Sequence, residues 1–153
     1  ATNMARSNHK LAALLTFCMD ISKGLLSTGM AISLGHSLQI AHLCGACAVL
    51  GHIYPAYHNF KGGKGAATYF GVIAMLSGTC GLISISIWAG TLYSFKNSGL
   101  SAVITASMTP VLIYMIPETS HLLLATIMVN ALIIAKHSRN IEILLLQSSS
   151  RAQ

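Results

Sequence analysis

The 153 residues are 54% hydrophobic and 8% charged, with a formal net charge of +6. A soluble domain normally carries about 25% charged residues, so a soluble fold of this composition would expose large apolar patches. The cations cap apolar runs and form no continuous basic stripe, which argues against a nucleic-acid binder. The apolar residues do not alternate over long stretches, so helices and not a barrel are expected to span the membrane.

Six apolar segments follow one another and predict an all-α polytopic membrane bundle. They cover residues 11–33, 38–54, 66–76, 82–95, 100–116 and 122–135, and residues 77–81 have the composition of a tight turn. The segments on either side of Gly78 fall well short of the ~20 residues that cross a bilayer. We expect them to be a bent pair or half-helices that stop inside the protein. We see no second domain and treat residues 1–153 as one domain.

The positive charges alternate between the ends of these segments. Eight of the nine lysines and arginines lie before the first segment, after the sixth, or in the second and fourth connections, and the ninth, Lys23, lies inside the first segment. The other connections hold His36, Glu118 and His121 without Lys or Arg. By the positive-inside rule, both chain ends and the lysine-rich connection face the cytoplasm.

Three of the four cysteines lie inside the apolar segments and Cys80 lies between two of them; all four are expected to be small packing residues. Cys44 and Cys47 form a C-x-x-C without a second pair of ligands, so we expect no metal site. Asp20 also lies deep in an apolar segment, three residues before Lys23, and the two are expected to form a structural ion pair.

The connection between the second and third segments, residues 55–65, is called the basic loop here. It combines two lysines with three glycines: Lys61, Lys64, Gly62, Gly63 and Gly65. Glycines let successive N–H groups point into one concavity, and the third helix begins directly afterwards with the positive end of its dipole. Thr68 adds a hydroxyl one turn into that helix. The pattern predicts a phosphate site at the membrane surface, and it does not match a Walker A loop, because Lys64 is followed by Gly65.

Three stretches resemble one bacterial family. Residues 51–55, Gly-His-x-x-Pro, and residues 60–68, Phe-Lys-Gly-Gly-Lys-Gly-Ala-Ala-Thr, resemble the middle motif of the acyl-phosphate-dependent glycerol-3-phosphate acyltransferases, the PlsY family. The opening Ala1-Thr2-Asn3 with Arg6 is similar to the end of its first motif, and Asp20 with Lys23-Gly24 resembles an Asp-x-x-Lys-Gly that follows. His137, Asn140 and Ile141 resemble the third motif, His-x-x-Asn-Ile.

The chain departs from the family pattern in three places. The first part of the first motif and the helix before it are absent, which we interpret as an N-terminally incomplete chain of a seven-span protein. Gln147 and Ser149 stand where a Gly and a Glu are usual in the family. One serine of the family pattern matches either Ser98 or Ser101, and the sequence does not decide between them.

The resemblance implies transfer of a fatty acyl group from acyl phosphate to the 1-hydroxyl of glycerol-3-phosphate, giving lysophosphatidic acid and phosphate without a cofactor. The first phosphate is expected at Lys61, Lys64, the amides of residues 62–65 and Thr68. The second is expected at Asn3, Arg6 and Ser98 or Ser101. Lys64, His137 and Asn140 are the expected catalytic residues, and the proton acceptor is either His137 or a phosphate oxygen. His52 is either a phosphate ligand or, as we favour, a bracket for the loop.

The implied setting is the bacterial inner membrane, with the active site on the cytoplasmic side and membrane lipids as neighbours. The residues leave the oligomeric state open. Two other functions also remain open at this stage. One is a small transporter or channel subunit with histidines and Asp20 along a path, and the other is an inactive structural subunit.

Overall fold

The computed structural model describes residues 10–138, 141 and 142, and this part of the chain is helical without a β-strand. Its six α-helices are α1 (Lys10–Ser33), α2 (Leu38–Ile53), α3 (Ala66–Leu76), α4 (Gly78–Phe95), α5 (Ser98–Met115) and α6 (Leu123–Lys136). Two 3-10 turns, Ala56–His58 and Ser120–Leu122, follow α2 and precede α6. The predicted helical bundle with six apolar segments is confirmed.

In the described part of the chain, three segments are long and apolar enough to cross a membrane by length and composition: Lys10–Ser33, Leu38–His58 and Ser98–Met115. The outer surface of α1 shows why the composition is so apolar. Six of its large side chains are more than half exposed: Leu11, Leu14, Leu15, Met19, Leu26 and Met30. A stripe of this kind suits contact with lipid chains and not with water.

The break between α3 and α4 is a single residue. The side chain of Ser77 accepts a hydrogen bond from the Cys80 amide, and the backbone amide of Ser77 donates to the Ile73 carbonyl. Ser77 therefore ends one helix and caps the next. The predicted turn over residues 77–81 is wrong, because this cap lets α4 begin at Gly78. Gly81 packs on the backbone of Ala74, so α3 and α4 form an antiparallel pair.

The helix α3 is a half-helix at the centre of the fold, as predicted. Its 11 residues span about 16 Å, roughly half of the ~30 Å hydrocarbon core. It packs against α1, α2 and α4. Most of its residues are buried: Thr68, Tyr69, Phe70, Gly71, Val72, Ile73 and Leu76. A short helix at membrane depth is tolerable because protein encloses it.

Two glycines bring the backbones of α1 and α3 into contact. A Cβ at Gly24 would overlap the carbonyl oxygen of Thr68, and a Cβ at Gly71 would overlap the carbonyl oxygen of Ile21. Small residues of this kind are the usual means of close helix packing in membranes. The contact fixes α3 against α1 along the half of α1 that also carries Asp20 and Lys23.

A buried polar contact joins α2 to α3. His42 is fully buried, and its Nε2 lies 3.2 Å from the hydroxyl oxygen of Tyr69. On the neighbouring α6, the Asn130 side-chain amide donates to the Thr126 carbonyl at 2.9 Å. Polar side chains inside a membrane bundle pair with one another because lipid offers no partner.

The glycine contact generates a stability prediction. Gly24→Ala and Gly71→Ala place a methyl group on facing backbone, and overpacking of this kind costs about 1–3 kcal/mol. Gly90→Ala in α4 is the matched control, because no atom lies within 4 Å of its added Cβ. In a helix this control replacement is favourable by up to about 1 kcal/mol. Thermal unfolding in detergent should show lower midpoints for the first two variants and an equal or higher midpoint for the third. Equal midpoints in all three would contradict the packing.

Candidate active site

One cavity of about 540 Å³ lies between the helix ends and the basic loop. Its size is within the range of small-molecule sites. Residues far apart in sequence line it, among them Lys23, His52, Lys64, Ser98 and His137. The fold therefore brings the predicted loop lysines, the start of the fifth helix and the His137 end of the sixth helix to one place.

The first two glycines of the basic loop hold the end of α2. The amide of Gly62 donates to the Ile53 carbonyl and the amide of Gly63 donates to the His52 carbonyl, each at 3.1 Å. A Cβ at either position would overlap His52. Both glycines line the cavity, but their N–H groups serve the last turn of α2. This corrects the expectation that these two amides face a phosphate.

The remaining glycine starts α3. Gly65 has a φ of 87°, a conformation that favours glycine, and its carbonyl accepts the amide of Tyr69 at 2.9 Å. The amides of Ala66 and Ala67 come before this first intrahelical bond and so have no acceptor within the helix. Both residues line the cavity. The predicted orientation of the third helix is therefore supported, because its positive end opens on the same cavity as the lysines.

Asp20 links α1 to the end of α2. Its Oδ1 accepts from Lys23 Nζ at 2.7 Å and lies 3.3 Å from Nδ1 of His52. The predicted Asp20–Lys23 pair is thus present in the structure. The His52 carbonyl accepts from the Gly63 amide and the His52 ring packs on Gly63, which supports the bracket interpretation, while the ring also borders the cavity.

His137 is buried at the cavity with a defined tautomer. Its Nδ1 lies 2.8 Å from the Ile133 carbonyl oxygen, which can only accept, so Nδ1 carries the proton. In the neutral ring Nε2 is then an acceptor. Burial lowers the pKa of His137 most strongly, the Ile133 hydrogen bond raises it, and the charge of Lys64 lowers it further. The net lowering keeps the ring neutral near pH 7.

The structure separates the three predicted hydroxyl groups. Ser98 lines the cavity at the first position of α5. Ser101 lies one turn further on, fully buried, and its hydroxyl donates to the Asn97 carbonyl at 2.9 Å. Thr68 is fully buried on the side of α3 that meets Gly24. Neither Ser101 nor Thr68 borders the cavity, so the structure does not bring them to the other predicted residues.

Three predicted site residues, Asn3, Arg6 and Asn140, lie outside the described part of the chain. The same is true of Gln147 and Ser149, at the positions where the chain departs from the family pattern.

Sequence reasoning missed an aromatic wall of the cavity. The Phe17 and Trp88 rings stack with centroids 5.4 Å apart, and Phe70 meets Trp88 edge-on at 6.1 Å. All three side chains line the cavity. They come from α1, α4 and α3, and no motif or spacing relates them, so the sequence held no signal for this cluster. Lys23 was missed as a lining residue, although an ionisable residue inside an apolar segment was a signal of function.

Comparison with known proteins gives a consistent match. A sequence model described as glycerol-3-phosphate acyltransferase matches residues 1–147. The glycerol-3-phosphate acyltransferase of Methylococcus capsulatus is 37% identical over 151 residues, covering 99% of this chain and 76% of the relative. That of Dinoroseobacter shibae is 38% identical over 142 residues, covering 92% of this chain and 68% of the relative.

Solved structures agree with the sequence comparison. The crystal structure of PlsY, an integral membrane glycerol 3-phosphate acyltransferase, in its glycerol 3-phosphate form superposes with a TM-score of 0.90 at 30% identity. The match covers 95% of this chain and 74% of PlsY. The lysophosphatidic acid form of PlsY gives a TM-score of 0.89 at the same identity.

The electrostatic coupling of Lys64 and His137 can be measured. Lys64→Gln removes a positive charge that disfavours the imidazolium, so the pKa of His137 should rise. Histidine-labelled protein in detergent, titrated by NMR, gives this pKa directly. Lys96→Gln is the control, because Lys96 lies over the Tyr93 ring and does not line the cavity. An unchanged His137 pKa in Lys64→Gln would show that the two groups do not face each other.

Proposed function

Because the chain belongs to the glycerol-3-phosphate acyltransferase family, we propose that it transfers a fatty acyl group from acyl phosphate to the 1-hydroxyl of glycerol-3-phosphate. The products are lysophosphatidic acid and phosphate. The observation that carries the proposal is the shared cavity, in which Lys61, Lys64, His137 and the start of α3 meet an aromatic wall. Such a cavity suits one substrate that is wholly polar and one that is amphiphilic.

The transfer needs no covalent intermediate with the protein. The 1-hydroxyl oxygen attacks the acyl carbonyl carbon, the bond from that carbon to the phosphate oxygen breaks, and the electron pair leaves with phosphate. The hydroxyl proton passes to Nε2 of His137 or to an oxygen of the departing phosphate. The His137 tautomer supports the first route, since Nε2 is the acceptor in the neutral ring.

The main task of the protein is to hold two anions together. A phosphate monoester carries about −1.5 to −2 charges at pH 7, so two phosphate groups repel each other strongly. Lys61, Lys64 and the amides at the start of α3 offset this repulsion and stabilise the charge of the departing phosphate. Ser98 supplies a hydroxyl at the same cavity. By their match to the family motifs, we assign Asn3 and Arg6 to the second phosphate and Asn140 to the reacting hydroxyl.

The aromatic wall provides the apolar side of the site. Phe17, Phe70 and Trp88 offer a surface on which the acyl chain packs while its phosphate end faces the lysines. When the acyl chain lies on the aromatic wall and the phosphate end lies at the lysines, the acyl carbon lies beside the hydroxyl of the second substrate. This positioning is the larger part of the catalysis that such a site can supply.

The protein is a multi-pass membrane protein, and we place it in the bacterial inner membrane with the cavity on the cytoplasmic side. The lysines of the described chain support this orientation. Lys10, Lys96 and Lys136 lie at ends of α1, α4 and α6, and Lys61 and Lys64 border the cavity itself. Lysines gather on the cytoplasmic side of membrane proteins. We further propose that residues 1–153 form one domain.

The first functional test is Lys64→Ala. Loss of one charged group that stabilises a departing anion typically lowers the rate 100- to 1,000-fold, so lysophosphatidic acid release should fall by about that factor. The measurement is product formation from acyl phosphate and glycerol-3-phosphate by the purified protein in detergent. Lys96→Ala, which removes a lysine away from the cavity, should keep the wild-type rate. A wild-type rate in Lys64→Ala, with an unchanged unfolding midpoint, would overturn the assignment.

The acyl wall predicts a dependence on chain length. Trp88→Ala removes apolar surface that an acyl chain would cover, and a change of about 1.4 kcal/mol is a tenfold change in affinity. The KM for a long-chain acyl phosphate should rise about tenfold or more, while the KM for glycerol-3-phosphate should stay close to that of wild type. Tyr114→Ala, at an exposed aromatic residue of α5, is the control. Equal increases in KM for long- and short-chain donors would show that the aromatic wall does not bind the acyl chain.

A further inference from the structure

Lys23 is unusual for a lysine inside an apolar helix. It lies well within the α1 segment that is long enough to span a membrane, where a charged side chain is costly and commonly has a function. Its side chain is 47% exposed, and it lines the cavity. A lysine that served packing alone would be enclosed by its neighbours, whereas Lys23 is half-exposed and borders the cavity.

Asp20 holds this lysine without using all of its donors. Lys23 Nζ lies 2.7 Å from Oδ1 of Asp20, whose side chain is 11% exposed. The same oxygen faces Nδ1 of His52 at 3.3 Å, so the carboxylate is fixed from two sides. An ammonium group carries three donors, and the ion pair with Asp20 takes one of them. Within residues 10–138, 141 and 142, Nζ donates to Asp20 alone, which leaves two donors for an anion in the cavity.

The charge balance of the cavity leaves room for a further cation. Two phosphate groups bring about −3 to −4 charges at pH 7, while Lys61 and Lys64, together with Arg6 as assigned by the family motif, supply three positive charges. Asp20 alone would repel a phosphate at this wall. Lys23 offsets the charge of Asp20 and adds N–H donors at the part of the cavity that α1 lines.

We propose that Lys23 binds a substrate phosphate directly and that Asp20 is a positioning residue that aims the Lys23 ammonium into the cavity. The identity of the ligand, a phosphate monoester or an acyl phosphate, rests on the proposed function. The contact itself depends on the geometry of α1. Both phosphates share the chemistry that an ammonium recognises, and the two arms of the experiment distinguish them.

The binding experiment compares Lys23→Gln with Lys10→Gln, which removes the same charge from the exposed start of the same helix. Isothermal titration of the detergent-solubilised protein with glycerol-3-phosphate and with inorganic phosphate gives the affinities. Lys23→Gln should weaken at least one of them about tenfold or more, and Lys23→Arg should recover part of the loss. Lys10→Gln should bind like wild type. Equal affinities in Lys23→Gln and Lys10→Gln would overturn the proposal.

The kinetic arm identifies the phosphate. If Lys23 binds glycerol-3-phosphate, Lys23→Gln should raise the KM for that substrate and leave the KM for acyl phosphate near its wild-type value. If Lys23 binds the donor, the pattern should be reversed. A purely structural ion pair would instead lower the unfolding midpoint and kcat without selecting one KM, and that result would contradict the proposal.

The positioning role of Asp20 has its own test. Asp20→Asn keeps an oxygen acceptor for His52 and Lys23 but removes the charge that orients the ammonium. If Asp20 acts through Lys23, the double variant Asp20→Asn/Lys23→Gln should bind phosphate no worse than Lys23→Gln alone. Strictly additive losses would show that Asp20 acts independently.

The outcomes separate this proposal from the proposed function. Binding that depends on Lys23, in a protein that transfers no acyl group, supports Lys23 and contradicts the function. Acyl transfer with the same phosphate affinities and KM values in Lys23→Gln and Lys10→Gln supports the function and contradicts Lys23.

Discussion

Two backbone hydrogen bonds determine where the site can form. The last carbonyls of any helix need partners, and near the apolar part of a membrane an unpaired carbonyl costs several kcal/mol. Gly62 and Gly63 supply these partners to the end of α2. The same bonds hold the basic loop against the helix end, so Lys61 and Lys64 are carried by a segment that cannot move away without exposing those carbonyls. The same two hydrogen bonds thus end α2 and position the two lysines of the basic loop.

The position of α3 extends this constraint into the membrane. Backbone contact at Gly24 and Gly71 seats the half-helix against α1, and the cap at Ser77 turns the chain directly back into α4. With most of its residues enclosed by neighbouring helices, α3 can direct its positive end to the cavity from within the protein. Short length is therefore useful here, because a full span would carry the α3–α4 connection to the opposite membrane surface.

The sequence predicted the features that the membrane imposes. Lipid requires apolar runs with lysines at their ends, so the six helices were foreseeable, and the meeting of Lys61, Lys64 and His137 was expected from the family motifs. Features that depend on local geometry were not. The glycine-rich composition suggested amides facing a phosphate, whereas the needs of α2 take two of them. Ser98 and Ser101 look alike in sequence, and the start of α5 at Ser98 decides between them. The Phe17–Trp88 contact joins residues too distant in sequence for any spacing to reveal.

The arrangement of charge and apolar surface explains why such chemistry belongs at a membrane boundary. An acyl phosphate has one end that water solvates and one that lipid solvates, while glycerol-3-phosphate is polar throughout. A cavity that was wholly cationic would leave the acyl chain in water, and a wholly apolar one would exclude both phosphates. Here the cations stand on the basic loop and α1, and the aromatic rings stand on α1, α3 and α4. Because α1 contributes to both surfaces through Phe17 and Lys23, its register relative to α3 sets the distance between the cationic and the aromatic side of the cavity. The glycine contacts that fix this register therefore shape the cavity as well as the fold.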